Sequence, residues 1–387
     1  MALDSRLRGN ERIDLARMSR RKELLLSLLL SLASIVVCLL AAELVMRFLP
    51  VSTGLRSMPV TAADPVLRFT PDRPFTNSLG WNFHNVVRGR VNNAGFVNDQ
   101  DYVRDGLPLI AVIGDSFIEA QMVPYAESLQ GRLAAALKDK FRVYSFAASG
   151  APLSQYLVYA GHAVREYGAR AVVINVVGND FDESLSAYRL GPGFWQYAPD
   201  AGGALRLRLN EHQAGTVISL ARHSALARYV IINLGVQNHL FGIRPLGELI
   251  FGKPANAAPR YAGNTDASVN EKRVRDSLAA IDAFFRDIPE RVGLPPDRVL
   301  FTLDGFRTAD AARDGAGTYF DLMRRAFMEK AAGLGYEAID LDTRFIPRHA
   351  RTGESFEFHD DNHWNGAGHE VAAQAMMESK LLARLRQ

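Results

Sequence analysis

The 387-residue chain contains one cysteine, Cys38. A single thiol cannot close an intramolecular disulfide, and one sulfur is too few for a cysteine-based zinc site. The lack of any cysteine beyond residue 38 suits an oxidising compartment. Neither acid nor base is in large excess, since 45 Lys and Arg face 42 Asp and Glu. Seven of the basic side chains (Arg6, Arg8, Arg12, Arg17, Arg20, Arg21 and Lys22) crowd into the first 22 residues against three acidic ones. The rest of the chain is nearly neutral and offers no basic footprint for nucleic acid. No G-x-x-x-x-G-K-[ST] or G-x-G-x-x-G follows a strand pattern, so nucleotide binding has no support. The G-x-S-x-G elbow of ordinary α/β-hydrolases is missing as well. There are no internal repeats. A composition of 48% hydrophobic and 22% charged residues excludes a disordered tail or a collagen-like fibre.

One long hydrophobic run is present. Leu24 to Ala42 are nineteen consecutive uncharged residues, which as a helix span roughly 28 Å, close to a bilayer core. The run is longer than a signal peptide's apolar region and lacks a clear A-x-A ending, so it reads as an uncleaved anchor. Residues 43–62 carry only Arg47 and Arg56 as basic groups. The positive-inside rule therefore predicts a single pass through the inner (cytoplasmic) membrane, with the N-terminus in the cytoplasm and the body periplasmic or extracellular. The expected organisation is a basic N-terminus over 1–23, an anchor over 24–49, a tether and lead-in over 50–89, and one domain over 90–387. Pro50, Pro59, Pro65, Pro71 and Pro74 mark the tether as extended chain.

From residue 108 short apolar runs alternate with helical stretches. Leu109–Ile113, Arg142–Ala147, Ala171–Val177, Arg298–Leu303 and Ala338–Leu341 read as strands. Glu127–Lys140, Ser154–Tyr167, Ser277–Arg291, Tyr319–Ala332 and Gly366–Arg386 read as helices. Alternation with fully apolar strands predicts a parallel sheet covered on both faces, a three-layer α/β/α sandwich of the flavodoxin-like kind. An insertion at about 181–268 interrupts the pattern, with an apolar helical run from Val217 to Leu234. It reads equally as a lid and as an embellishment completing the core.

Four short patterns fall at predicted strand ends. Gly114-Asp115-Ser116 follows the first strand, where a serine entering a helix points into the ligand crevice of an α/β sheet; the alternative is a plain helix cap. Ser149-Gly150 follows the second, where glycine lets backbone N–H approach a ligand or merely punctuates the chain. Gly178-Asn179-Asp180 follows the third, an amide donor for an oxyanion or an Asx turn. Asp360 and His363 match D-x-x-H before the last helix, where a carboxylate can hold Nδ1–H and aim Nε2 outward as a base. No single one of these is specific. Three histidines and two carboxylates between His359 and His369 also raise a metal site, but no metal-ligand spacing such as H-E-x-x-H appears.

Taken in order, the four blocks resemble the SGNH (GDSL-like) hydrolase family over about residues 90–385, and in particular its membrane-anchored bacterial branch. The Asn92–Phe96 segment before the first strand adds to the likeness. The resemblance implies Ser116 as nucleophile, His363 as base and Asp360 as its orienting carboxylate. Ser116, Gly150 and Asn179 would form the oxyanion hole. It implies no cofactor and no metal. Two departures stand out: Glu119-Ala120-Gln121 replaces the glycine usual a few residues after the serine, and Ala148 stands where Asn-x-Gly is common. The implied activity is a serine esterase acting on acyl, chiefly O-acetyl, esters of carbohydrate or lipid. An O-acetyltransferase of cell-surface polysaccharide would use the same triad, with an integral membrane acyltransferase as partner. An inactive tethered carbohydrate-binding module is the non-enzymatic alternative. Trp195, Tyr197 and Trp364 are candidate sugar-stacking residues, although aromatics are more often packing.

Overall fold

The computed structural model describes residues 2–215, 219, 221–236, 265–359 and 361–387. Helix α1 (Ala2–Met46) is followed by an antiparallel ribbon of β1 (Arg73–Leu79) and β2 (His84–Val91). The chain then runs through β3 (Leu109–Gly114), α2 (Ser116–Glu119), α3 (Leu129–Leu137), β4 (Arg142–Ala147), α4 (Leu153–Tyr167), β5 (Ala169–Val176) and α5 (Asp180–Glu183). A second ribbon, β6 (Trp195–Pro199) and β7 (Leu205–Leu209), and a short helix α6 (Ala225–Arg228) follow. Next come α7 (Glu271–Val292), β8 (Val299–Leu303), α8 (Ala309–Gly315), α9 (Tyr319–Gly333), β9 (Glu337–Asp340) and α10 (Asp342–Thr352). A two-stranded turn of β10 (Glu357–Phe358) and β11 (Asp361–Trp364) leads into α11 (Gly366–Met377) and α12 (Lys380–Leu385).

The five apolar runs form one parallel sheet in the order β4-β3-β5-β8-β9. By chain order of these strands this is 2-1-3-4-5, the flavodoxin-like arrangement. The chain turns back across the sheet after β4, so the crevice outside the carboxyl ends of β3 and β5 is the topological switch point where such sheets bind ligands.

Side chains alternate between two cores, as a strand repeat of two residues requires. Ala111, Ile113, Tyr144, Phe146, Val172, Ile174 and Phe301 pack under α4, α7 and α9. Ile110, Val112, Val143, Val173 and Leu300 pack under α3, α10, α11 and α12. Burying each large apolar side chain stabilises the fold by roughly 1.5–3 kcal/mol relative to leaving it in water. This double burial is why the strands read as unbroken hydrophobic runs. The three-layer α/β/α sandwich is thus the fold.

Helix boundaries follow local caps. α7 begins six residues before the expected Ser277, because Asn270 Oδ1 accepts the Arg273 N–H at 3.1 Å. The expected single C-terminal helix divides after Glu378, where Ser379 Oγ accepts the Leu382 N–H at 3.1 Å and starts α12.

Residues 50–89 are not a bare tether. Val51, Val60, Leu67, Phe69 and Phe75 are buried, and Val60, Leu67 and Phe69 join the core over the sheet. The prolines shape a lead-in that packs rather than a free linker. In the insertion, β6 pairs with β7, and Tyr197 sinks into the same core. The predicted run Val217–Leu234 becomes α6 and a wide helical turn at Tyr229–Asn233; residues 216–218, 220 and 237–264 lie outside the described ones. Within α1, Lys22–Met46 is long and apolar enough to cross a membrane, and its leucines are exposed.

Candidate active site

β3 ends at Gly114, and the next residue turns the chain. Asp115 Oδ1 accepts the Phe117 N–H at 3.0 Å, so Asp115 caps α2 and Ser116 holds the first helical position. The cap is made by Asp115, so the capping reading of this block does not occupy the Ser116 hydroxyl. A first-turn N–H has no partner inside its helix, which leaves that of Ser116 available to a ligand.

Ser116 Oγ lies 2.6 Å from His363 Nε2, across 247 positions of sequence. β11 carries the histidine to that point. On the far side of the ring, Nδ1 lies 2.5 Å from Asp361 Oδ1, and the same oxygen accepts the His363 N–H at 3.1 Å. The carboxylate on the imidazole is thus two residues upstream of it, D-x-H. Asp360, which the D-x-x-H spacing favoured, lies outside the described residues. Burial pushes the imidazole pKa down, but the hydrogen bond and charge of Asp361, with the charges of Asp115 and Asp304, outweigh it and raise the value above the ordinary one.

The β10–β11 turn is fixed from beneath. Trp364 donates its indole N–H to Asp304 at 2.9 Å, and Asp304 also pairs with buried Arg307 at 2.6 Å. Arg307 reaches the Asn362 carbonyl at 3.4 Å and lies 3.5 Å from Glu357. A buried ion pair adds little net stability, yet removing one partner strands the other charge. Sequence reasoning missed this support because its members are 60 residues apart.

Gly150 and Asn179 follow β4 and β5, the two neighbours of β3. Gly114 is in register with Ala147, and Ile113 with Ile174. Three adjacent strand ends therefore carry Ser116, Gly150 and Asn179, at the roughly 4.8 Å spacing of neighbouring strands. Gly150 has φ +77°, a left-handed backbone that disfavours a Cβ. A Cβ there would also sit 3.3 Å from the Arg189 guanidinium. Arg189 pairs with Glu183 at 2.6 Å, and Glu183 accepts one amide N–H of Asn179 at 3.2 Å. That hydrogen bond fixes the amide and leaves its second N–H for a ligand.

Three buried carboxylates tie the loops together. Glu119 accepts the Ser149 N–H at 2.9 Å and its hydroxyl at 2.6 Å, clasping the second block to the first. Asp180 accepts the Tyr156 hydroxyl at 2.9 Å and the Val177 N–H at 2.8 Å. Asp115 receives a further, longer contact from Ser116 Oγ at 3.3 Å. Burial raises all three pKa values, that of Asp115 to about 6. Glu119 belongs to the segment that departs from the resemblance, and its neighbour Ala120 adopts φ +51°, ψ +42°. An alanine thus holds a left-handed conformation that glycine adopts at less cost.

Two of the three candidate sugar-stacking rings are buried. Trp364 is 0% exposed, packed against Phe117, Phe345 and His369. Tyr197 is 1% exposed and donates to Asp287 at 3.1 Å. Trp195 donates its indole N–H to the Pro65 carbonyl at 2.9 Å and lies under Arg291, on the α4–α7 side. Trp364 and Tyr197 therefore have no exposed ring face, and the contacts of half-buried Trp195 are with Pro65, Gln155 and Arg291. His369 is a core residue whose Nδ1 accepts the Leu129 N–H at 3.2 Å, with its pKa pushed down to about 3 by burial.

No protein-family model matches the chain, and no curated protein matches it. Solved structures resemble it at low similarity. TesA is 13% identical over 72% of this chain and 99% of its own, with a TM-score of 0.36. A lipolytic protein of the G-D-S-L family from Veillonella parvula is 13% identical over 70% and 97%, at 0.34. A catalytic mutant of Axe2, an acetylxylan esterase from Geobacillus stearothermophilus, is 11% identical over 71% and 95%, at 0.36.

Proposed function

We propose that this protein is a serine esterase of the SGNH kind, acting on acyl esters through Ser116, His363 and Asp361. The observation that carries this reading is the 2.6 Å contact between Ser116 Oγ and His363 Nε2 with Asp361 on the opposite ring nitrogen. As Ser116 attacks an ester carbonyl, His363 Nε2 takes the hydroxyl proton and Asp361 stabilises the imidazolium. The Ser116 and Gly150 N–H groups and the Asn179 amide receive the negative charge of the tetrahedral oxygen. Collapse expels the alcohol, which takes the proton from His363, and leaves an acyl group on Ser116. Water then repeats the attack with His363 as base, releasing the acid and restoring the serine. Asp360 remains the alternative orienting carboxylate by sequence spacing, and mutation separates the two.

The reading includes an extracytoplasmic domain held by α1, because the basic residues precede the apolar helix. O-acetyl esters of carbohydrate or lipid are the proposed substrates. A sugar hydroxyl replacing water as acceptor would make the same site a transferase, and an integral membrane acyl donor would then be its partner.

The test is acetate release from p-nitrophenyl acetate by the detergent-solubilised full chain. Ser116→Ala and His363→Ala should abolish turnover, and Asn179→Ala should lower kcat by about 10²–10³. Mass spectrometry of quenched wild type should show acetyl on Ser116. Turnover that survives Ser116→Ala, or an acetyl group on another side chain, sinks the proposal.

A further inference from the structure

Glu43, one turn from the end of α1, is held by the insertion. Its carboxylate accepts the Ser224 hydroxyl at 2.7 Å, the Ala225 N–H at 3.1 Å and the Leu226 N–H at 2.9 Å. Glu43 is also the first charged residue after the apolar run that ends at Ala42. Residues 224–228 therefore sit level with the end of the hydrophobic span, where lipid headgroups lie.

Arg228, on the segment that Glu43 holds, donates Nη1 to the Arg222 carbonyl at 2.8 Å, and the charges of Arg56 and Arg73 act on the same group. Burial lowers the pKa of Arg73, and the charges of Arg56, Arg228 and Arg222 lower it further. Burial and Arg56 act likewise on Arg222. Arg228 feels burial first, then the opposing pull of Glu43, then Arg56 and Arg47 at the helix end. Among the described residues, no carboxylate lies within 4.0 Å of Arg56, Arg73, Arg222 or Arg228. The buried Nε atoms of Arg56 and Arg228 have no acceptor. Guanidinium groups that repel one another, with no ion-pair partner within 4.0 Å among the described residues, form a receptor for an anion, and arginine's planar fork suits phosphate oxygens.

Apolar side chains border the cluster. Trp81, at the β1–β2 turn, is 75% exposed, and its carbonyl accepts the Tyr229 hydroxyl at 3.0 Å. Val230, Ile231 and Phe48 are exposed nearby in sequence to α6 and the end of α1. Buried Asn233 locks the platform, accepting the Ser52 N–H at 3.0 Å and donating to Ser78 Oγ at 2.8 Å. A tryptophan beside arginines at the end of an apolar span is the composition of a membrane interface.

We infer that the face formed by Arg56, Arg73, Arg222, Arg228 and Trp81 lies on the membrane surface and binds the phosphate of anionic phospholipid headgroups. This rests on the reading that α1 spans the membrane. It sets the domain's orientation as well as its tether.

The test uses the full chain in detergent, with native mass spectrometry to follow retention of phosphatidylglycerol, phosphatidylcholine or inorganic phosphate. Phosphatidylglycerol should be retained over phosphatidylcholine, and Arg222→Gln and Arg228→Gln should each weaken its apparent Kd roughly fivefold. Hydrogen exchange of β3 and β5 should be unchanged in both variants, which shows that they fold. In vesicles, brominated acyl chains should quench Trp81 fluorescence, with a Trp81→Phe control. Equal retention of the two lipids, full displacement by inorganic phosphate, or undiminished binding by folded variants overturns the inference. Carbonate extraction of the wild type from vesicles separates the two levels. A chain that stays in the pellet while failing the lipid tests keeps its anchor and loses only this face, whereas a chain that is extracted loses both.

Discussion

Asp361 Oδ1 accepts from both the ring Nδ1 and the backbone N–H of His363, at 2.5 and 3.1 Å. One oxygen thereby fixes the ring's rotation relative to its own strand and selects the tautomer that leaves Nε2 free for Ser116. Asp361→Asn should cut kcat on p-nitrophenyl acetate by about 10³–10⁴, because an amide donor can stabilise the wrong tautomer and no imidazolium. Asp360→Asn should cost less than about tenfold, as loss of a charge with no part in the proton transfer would. The reverse ranking would return the orienting role to Asp360.

The pH profile follows from the raised imidazole pKa. Catalysis needs neutral His363, so kcat/KM should fall as pH drops through a value above the ordinary imidazole range. Any residual activity of Asp361→Asn should show this limb displaced to lower pH, since the burial that opposes the charged ring then acts with less compensation. A limb that does not move in that variant would remove Asp361 as the cause.

Ala120 pays the cost of a left-handed backbone at φ +51° while 4% exposed. Ala120→Gly should stabilise the protein by about 0.5–1 kcal/mol, the left-handed penalty less the extra unfolded-state entropy of glycine. Ala120→Val should destabilise it. Denaturant midpoints at constant m-value measure both.

Asp115 titrates at about 6 in the fold because burial disfavours its charge. A folded pKa above the unfolded one means that the folded state binds the proton more tightly. Stability should therefore fall as pH rises from about 4 through about 6, and the loss is complete above that window. Asp115→Asn keeps an oxygen for the Phe117 N–H and sheds the charge. It should gain stability on the order of 2 kcal/mol at pH 8 and none at pH 4. Parallel denaturation curves at the two values decide it.

The sequence by itself determined the five parallel strands, the helices between them and the apolar N-terminal helix, and it singled out the serine and histidine that the fold brings together. These are local signals: doubly buried strands are continuous apolar runs, and ligand-facing residues of such sheets follow strand ends. Only the tertiary structure places Asp361 against the imidazole, because β11 alternates its side chains and so puts positions 361 and 363 on one face. It also decided that Trp364 and Tyr197 are packing, that residues 50–89 join the core, and that Glu119 clasps Ser149. Each depends on partners tens to hundreds of positions away. Arg222 and Arg228 show the same thing, since as scattered charges they carry no pattern, and only the docking of residues 224–226 against Glu43 brings them to the end of α1.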